Sequence, residues 1–270
     1  MPNVQLDDVV IYYETAGTGP PVLFISGTGG DLRQRPSVFE GPLAQQCTVL
    51  AYDQRGLGRS SKPERRSTMA DYAHDAARLL DVVGWSRVPV VGVSFGGMVA
   101  QELAIRHPAM VDRLVLCCTS SGGAGGSSYP LHELTQLPDD ERRRRSLALS
   151  DARYDEAWQE ANAAEAAALL EFMRAREATN DSDPAAADGA RRQLETRSAH
   201  DAWDRLGQIR APTLLCAGRY DALAPVQNSE ALASRIPGAR LEVFEGGHLF
   251  LIQDPAVWPV LIEFVRTGDP

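Results

Sequence analysis

The chain has 270 residues, 44% hydrophobic and 23% charged. That globular balance excludes collagen-like, coiled-coil and disordered classes and lets the chain bury a core without staples. Against 27 Lys and Arg stand 36 Asp and Glu, a net charge of −9, so phosphate backbones and anionic lipid surfaces are not expected partners.

Met1 to Asp8 has neither the basic nor the apolar region of a signal peptide. Val9 to Tyr13 reads as a strand and Gly17-Thr18-Gly19-Pro20 as a turn. Val22 to Ile25 is a buried strand running into a glycine-rich bend, Ser26-Gly27-Thr28-Gly29-Gly30. Thr48 to Tyr52 is the next strand, and Asp53-Gln54-Arg55-Gly56 reads as a structural turn held by its Asp–Arg pair. Further strands are expected at Val88 to Val91, Leu114 to Cys117, Thr213 to Cys216 and Leu241 to Phe244. Between them lie helical faces such as Ala73, Ala76, Ala77 and Leu80, or Val99, Leu103 and Ala104. Apolar runs alternating with helices predict a mostly parallel, doubly wound α/β sheet covered on both faces.

The alternation stops at Thr119 and resumes near Asp201. A Ser/Gly-rich stretch, Ser120 to Ser128, reads as a flexible connector. Helical segments at Asp139 to Ser150, Tyr154 to Ala178 and Asp188 to Ser198 follow, with Asp181 to Pro184 separating the last two. The expected organisation is therefore an α/β core from residues 1–120 and 201–270, interrupted by a helical cap over 121–200. Arg142 to Arg145 reads as a solvated helix face.

The four cysteines, Cys47, Cys117, Cys118 and Cys216, lie in or beside apolar runs, with no CxxC and no Cys/His cluster. No zinc or iron–sulfur site is expected, and reduced, buried thiols fit a cytoplasmic protein. Val88 to Ala100, the longest chargeless apolar stretch, contains three glycines and falls short of a bilayer span.

The sharpest local signal is Gly92-Val93-Ser94-Phe95-Gly96, placed between a strand and a helix. A serine raised on a strained strand-to-helix turn needs small neighbours, and the helix start beneath it favours a developing negative oxygen. Its hydroxyl needs a base. Of five histidines, His248 alone follows a core strand in a glycine-bearing loop, Glu245-Gly246-Gly247-His248. The carboxylate that orients the imidazole is expected at Asp221, after the strand Thr213 to Cys216. The oxyanion hole would take the Phe95 N–H and one from the bend, Thr28 first, with Gly27 and Gly29 behind it.

These residues resemble the α/β-hydrolase fold, the superfamily of carboxylesterases, enol-lactonases and cofactor-free haloperoxidase-like enzymes. The resemblance runs over nearly the whole chain outside the insertion. It rests on Asp53 to Ser60, the serine turn, Ala211-Pro212-Thr213-Leu214, the Asp221 loop, Ile236 to Arg240 and Gly246-Gly247-His248. Many relatives have His-Gly where Ser26-Gly27 stands here, which leaves the second oxyanion donor open among the bend residues. The family's order, Ser then Asp then His, is kept by Ser94, Asp221 and His248.

The resemblance implies a serine hydrolase of a small carboxylic ester or lactone, with no metal and no cofactor. An aspartate would replace Ser94 in a dehalogenase or epoxide hydrolase of this fold. Perhydrolysis, C–C bond hydrolysis, lyase chemistry and a slow-turnover ligand receptor remain alternatives, since fold does not fix reaction. In the cap, Trp158, Phe172 and Met173 are the large apolar candidates for lining the substrate pocket, and Gly122 to Gly126 a candidate hinge. The sequence neither requires nor excludes a homo-oligomer.

Overall fold

The computed structural model describes residues 3–177 and 185–267; the Asp181 to Pro184 separator lies outside them. Eight strands form one sheet: β1 (Asn3–Leu6), β2 (Val9–Ala16), β3 (Pro21–Ile25), β4 (Thr48–Tyr52), β5 (Val88–Val93), β6 (Val111–Cys117), β7 (Thr213–Gly218) and β8 (Arg240–Phe244). Their order is β1-β2-β4-β3-β5-β6-β7-β8. The two N-terminal strands pair antiparallel, and β4 through β8 run parallel. The β1 hairpin strand was not expected from the sequence; it is a short edge with one fully buried residue, Leu6, and too little apolar alternation to read.

The continuous apolar runs divide between two cores with the period of two that a pleated strand dictates. Leu23, Leu50, Val90, Leu116 and Leu215 face one layer, while Val22, Val49, Val91, Val115 and Leu214 face the other. The helices are α1 (Pro42–Gln46), α2 (Met69–Val83), α3 (Phe95–Arg106), α4 (Leu131–Leu134), α5 (Asp139–Ser150), α6 (Glu156–Ala161), α7 (Ala163–Glu177), α8 (Ala186–Ser198), α9 (Val226–Arg235), α10 (Phe250–Gln253) and α11 (Val257–Thr267). Residues of α2, α3 and α9 cover the first layer, and those of α1, α10 and α11 the second. No described helix is long and apolar enough to cross a membrane.

Helices α4 to α8 form the insertion between β6 and β7. Three expectations there need correction. Tyr154 to Ala178 is not one helix: α6 ends at Asn162, whose backbone and side-chain N–H groups both donate to the Trp158 carbonyl, each at 2.9 Å. A side chain that bonds the backbone of its own helix competes with continuation. Nor is Ser120 to Ser128 a loose connector. Ser120 and Ser121 are fully buried, the Ser120 and Ser128 hydroxyls bond at 2.9 Å, and Gly122 donates to the Gly126 carbonyl. At Gly122, with φ +70°, a Cβ would lie 1.9 Å from the His200 carbonyl oxygen. Glycine serves close approach here rather than freedom. The arginine run is likewise only half solvated, because Arg142 and Arg143 both pair with Glu177 and so fasten α5 to α7.

Candidate active site

Ser94 is the turn between β5 and α3, held at φ 54° and ψ −115°. A non-glycine residue at such angles persists only where its surroundings over-determine it, and here they do. Its N–H donates to the Cys117 carbonyl on β6 at 2.8 Å, and the Thr119 hydroxyl donates to its own carbonyl at 2.7 Å. The turn packs so closely that a Cβ at Gly96 would sit 2.1 Å from the Ile25 carbonyl oxygen. The N–H of Phe95 opens α3, where the first N–H groups have no partner within the helix.

His248, in the loop after β8, and Asp221, in the loop after β7, arrive at the same end of the sheet. His248 Nε2 lies 2.9 Å from Ser94 Oγ, and Nδ1 lies 2.7 Å from Asp221 Oδ2. Asp221 is fixed from behind, since its Oδ1 accepts the N–H groups of Leu223 and Ala224 at 2.8 and 2.7 Å. An ionised carboxylate can only accept, so Nδ1 carries the proton and Nε2 faces the hydroxyl with its lone pair. Beneath them Cys118, at φ 41°, brings Sγ to within 4.8 Å of the Asp221 and His248 polar atoms. Burial pushes its thiol well up, so it stays protonated.

The bend after β3 is a tight turn closed by Gly30 N–H on the Gly27 carbonyl, 3.1 Å, with Gly29 at φ +68°. Gly27 lies against Ser94: a Cβ there would be 3.4 Å from Ser94 Cβ. Gly29 is not free to serve as an oxyanion donor, because its N–H donates to Gln193 Oε1 of α8 at 2.8 Å. Thr28 stands beside it in the same turn, its hydroxyl buried without a partner.

The described hydrogen bonds between the insertion and this constellation come from residues other than the large apolar candidates. Trp158 packs on Tyr154, ring centroids 4.6 Å apart. Phe172 is 37% exposed, with the Arg176 guanidinium 5.9 Å over its ring, and Met173 is half-buried. Instead the His248 N–H donates to the Ser150 carbonyl at the end of α5, 2.5 Å. Asp151 follows, fully buried, accepting from Gln253 of α10 at 3.0 Å; the Gln253 Oε1 in turn accepts the Gly247 N–H. Ser150, Asp151 and Gln193 carry no local pattern that marks them, since each acts through a partner remote in sequence.

Asp53 and Arg55 do not pair with each other as expected. The Asp53 carboxylate accepts the N–H groups of Leu32 and Arg59, and burial pushes it up to about 6. Arg55 turns to Asp75 on α2 instead, a fully buried two-pronged pair at 2.6 and 2.7 Å. Neighbours on a turn diverge to opposite sides, so a backbone-capping aspartate and a core ion pair share four residues.

The sequence matches the family described as alpha/beta hydrolase fold over residues 20–255. This chain belongs to that family. It is 33% identical to a putative carbamate hydrolase, RutD, of Azorhizobium caulinodans, covering 96% of this chain and 95% of that protein. It is 30% identical to a poly(3-hydroxyalkanoate) depolymerase of Ectopseudomonas oleovorans, covering 91% of this chain and 84% of that one. Among solved structures, the enol-lactonase of Burkholderia xenovorans LB400 superposes with a TM-score of 0.78 at 22% identity, covering 97% and 99% of the two chains. The last likeness is one of fold. The hydrolase described here thus shares its architecture with enzymes of several substrate classes.

Proposed function

We propose that the protein is a serine hydrolase of small carboxylic esters or lactones, working through an acyl-enzyme. The observation that carries this is the unbroken relay from Ser94 Oγ to His248 Nε2 at 2.9 Å and from His248 Nδ1 to Asp221 at 2.7 Å. Ser94 Oγ attacks the carbonyl carbon while His248 takes its proton, and Asp221 stabilises the imidazolium without itself being protonated. The carbonyl oxygen becomes an oxyanion held by the Phe95 N–H and the Thr28 or Gly27 N–H. Collapse expels the alkoxide, which leaves as an alcohol with the proton from His248. Water, deprotonated by the same imidazole, then adds to the acyl carbon, the bond to Ser94 Oγ breaks and the acid departs, and the imidazolium returns the proton to Ser94.

The depolymerase relative's name supports an ester as substrate. The RutD relative's name supports a second reading, a carbamate, whose carbonyl the same machinery attacks. Short-chain p-nitrophenyl esters, γ- and δ-lactones and aryl carbamates offered to the wild type and to Ser94→Ala decide between them. The ester reading expects hydrolysis of esters or lactones by the wild type, reduced by about 10³-fold or more in the variant. Equal rates in the two proteins would sink it, and turnover of carbamates alone would replace it by the second reading.

A further inference from the structure

Arg197 is a cation buried without a counter-charge. It is 6% exposed, on the core-facing side of α8, and among the described residues its one hydrogen bond runs from Nη1 to the Tyr129 carbonyl at 2.7 Å. Nε and Nη2 have no partner. Among the described residues no acid acts on it, and although burial pulls its pKa down to about 10 it stays charged at neutral pH. A buried charge with one partner missing is strongly destabilising.

Other arginines of the chain show what that edge is suited to. In Arg33, Arg55 and Arg153 the same Nε and Nη2 pair grips both oxygens of a carboxylate: Asp31 at 3.0 and 2.6 Å, Asp75 at 2.6 and 2.7 Å, Asp151 at 2.9 and 2.6 Å. The planar fork matches a carboxylate in a way a point charge does not. In Arg197 alone of these four the edge has no partner, and no described residue supplies the acid.

Arg197 also lines a cavity of about 280 Å³ together with Met98, Ser120, Ser128, His132 and His200. His200 adds polarity but no charge, since burial pushes its ring down to about 4. Two of its lining residues follow residues of the candidate site on the same helices. Met98 is one turn beyond Ser94 on α3, and Arg197 is one turn beyond Gln193, which holds the oxyanion bend. One turn is about 5–6 Å.

We propose that this cavity is a carboxylate-binding site in which Arg197, whose Nε and Nη2 lie buried at its wall, swings its free edge onto the ligand's carboxylate. Two sources share that chemistry: a carboxylate carried by the substrate itself, remote from the bond cleaved, or a free carboxylic acid that binds beside the catalytic site.

Glutarate and its uncharged diamide, titrated calorimetrically into the wild type and Arg197→Gln, test the site without any turnover. The expected result is glutarate binding with Kd at or below about 1 mM, at least about tenfold weaker in the variant, and no binding of the diamide. Glutarate should also raise the melting temperature of the wild type and not of the variant, whose own melt reports that it folds. Failure of glutarate to bind, or equal binding by a folded Arg197→Gln, would overturn the proposal. The second arm rests on the ester reading and compares mono-p-nitrophenyl glutarate with p-nitrophenyl butyrate. A KM at least about tenfold lower for the charged ester, with the preference lost in Arg197→Gln, assigns the carboxylate to the substrate. Equal KM values alongside Arg197-dependent glutarate binding assign it to a free acid. Glutarate binding without hydrolysis of either ester leaves the site standing and removes the ester reading.

Discussion

Asp221→Asn is a severe test of the proposed chemistry because the structure dictates which way the amide must face. Asp221 Oδ1 accepts two buried N–H groups, from Leu223 and Ala224. Turning the NH₂ of asparagine toward them would strand two donors at about 1–3 kcal/mol each. The amide oxygen therefore stays there, and the NH₂ is directed at His248 Nδ1, 2.7 Å away in the wild type. His248 must then present a lone pair at Nδ1 and carry its proton on Nε2, so it can no longer accept from Ser94. The loss expected for a locked wrong tautomer is about 10⁴ in kcat, roughly 5.5 kcal/mol of transition-state stabilisation. Stopped-flow release of p-nitrophenolate from a saturating ester reads the acylation step directly, and the melting temperature reports that the fold is kept. A folded Asp221→Asn variant within about tenfold of the wild-type kcat would refute the assignment of Asp221.

Three further outcomes follow from the same geometry. Gln193→Leu releases the Gly29 N–H without a substitute and should lower kcat/KM by about 5- to 100-fold, the equivalent of about 1–3 kcal/mol, with the far-ultraviolet spectrum unchanged. Asp75→Asn strips the carboxylate from Arg55, whose side chain is 2% exposed, and urea unfolding should show a loss of about 3–5 kcal/mol. Asp71, in the capping box of α2, is held down at about 2: burial opposes this, but hydrogen bonds from Arg65 and Thr68 prevail. Its folded value is depressed, so its contribution is present above the unfolded value near 4 and lost as pH falls from about 4 to about 2. Asp71→Asn should therefore flatten the acid dependence of stability in that window by on the order of 1–2 kcal/mol, allowing for solvent screening.

What could be read from the chain without coordinates was whatever local chemistry writes down. Ser94 announces itself because the strand, the small neighbours and the helix start are contiguous, and His248 and Asp221 because each follows a strand whose end is fixed by the parallel sheet. The core strands were legible for the same reason, though their ends extended by one to three residues where pairing outlasted the apolar run, as from Val91 to Val93 on β5. Gln193 and Ser150 were illegible because their roles consist of reaching the Gly29 and His248 N–H groups, contacts that span 164 and 98 positions. Phe172 shows a limit of the same kind: a large apolar side chain signals burial, yet it is 37% exposed, with the guanidinium of Arg176 over its ring.

The insertion is sewn to the catalytic end of the sheet at two places, the Ser150 carbonyl under His248 and the Gln193 amide under the oxyanion bend. Substrate preference in such an enzyme is therefore not freely exchangeable by transplanting a whole cap. A graft bounded inside those stitches, over residues 152–188, leaves the supports of His248 and of the Gly29 bend in place. One that runs from 131 to 198 replaces both supports. Descent with new specificity has room in the first interval and little in the second, so divergence among kindred hydrolases should be steepest in α6 and α7 and shallow at the two ends.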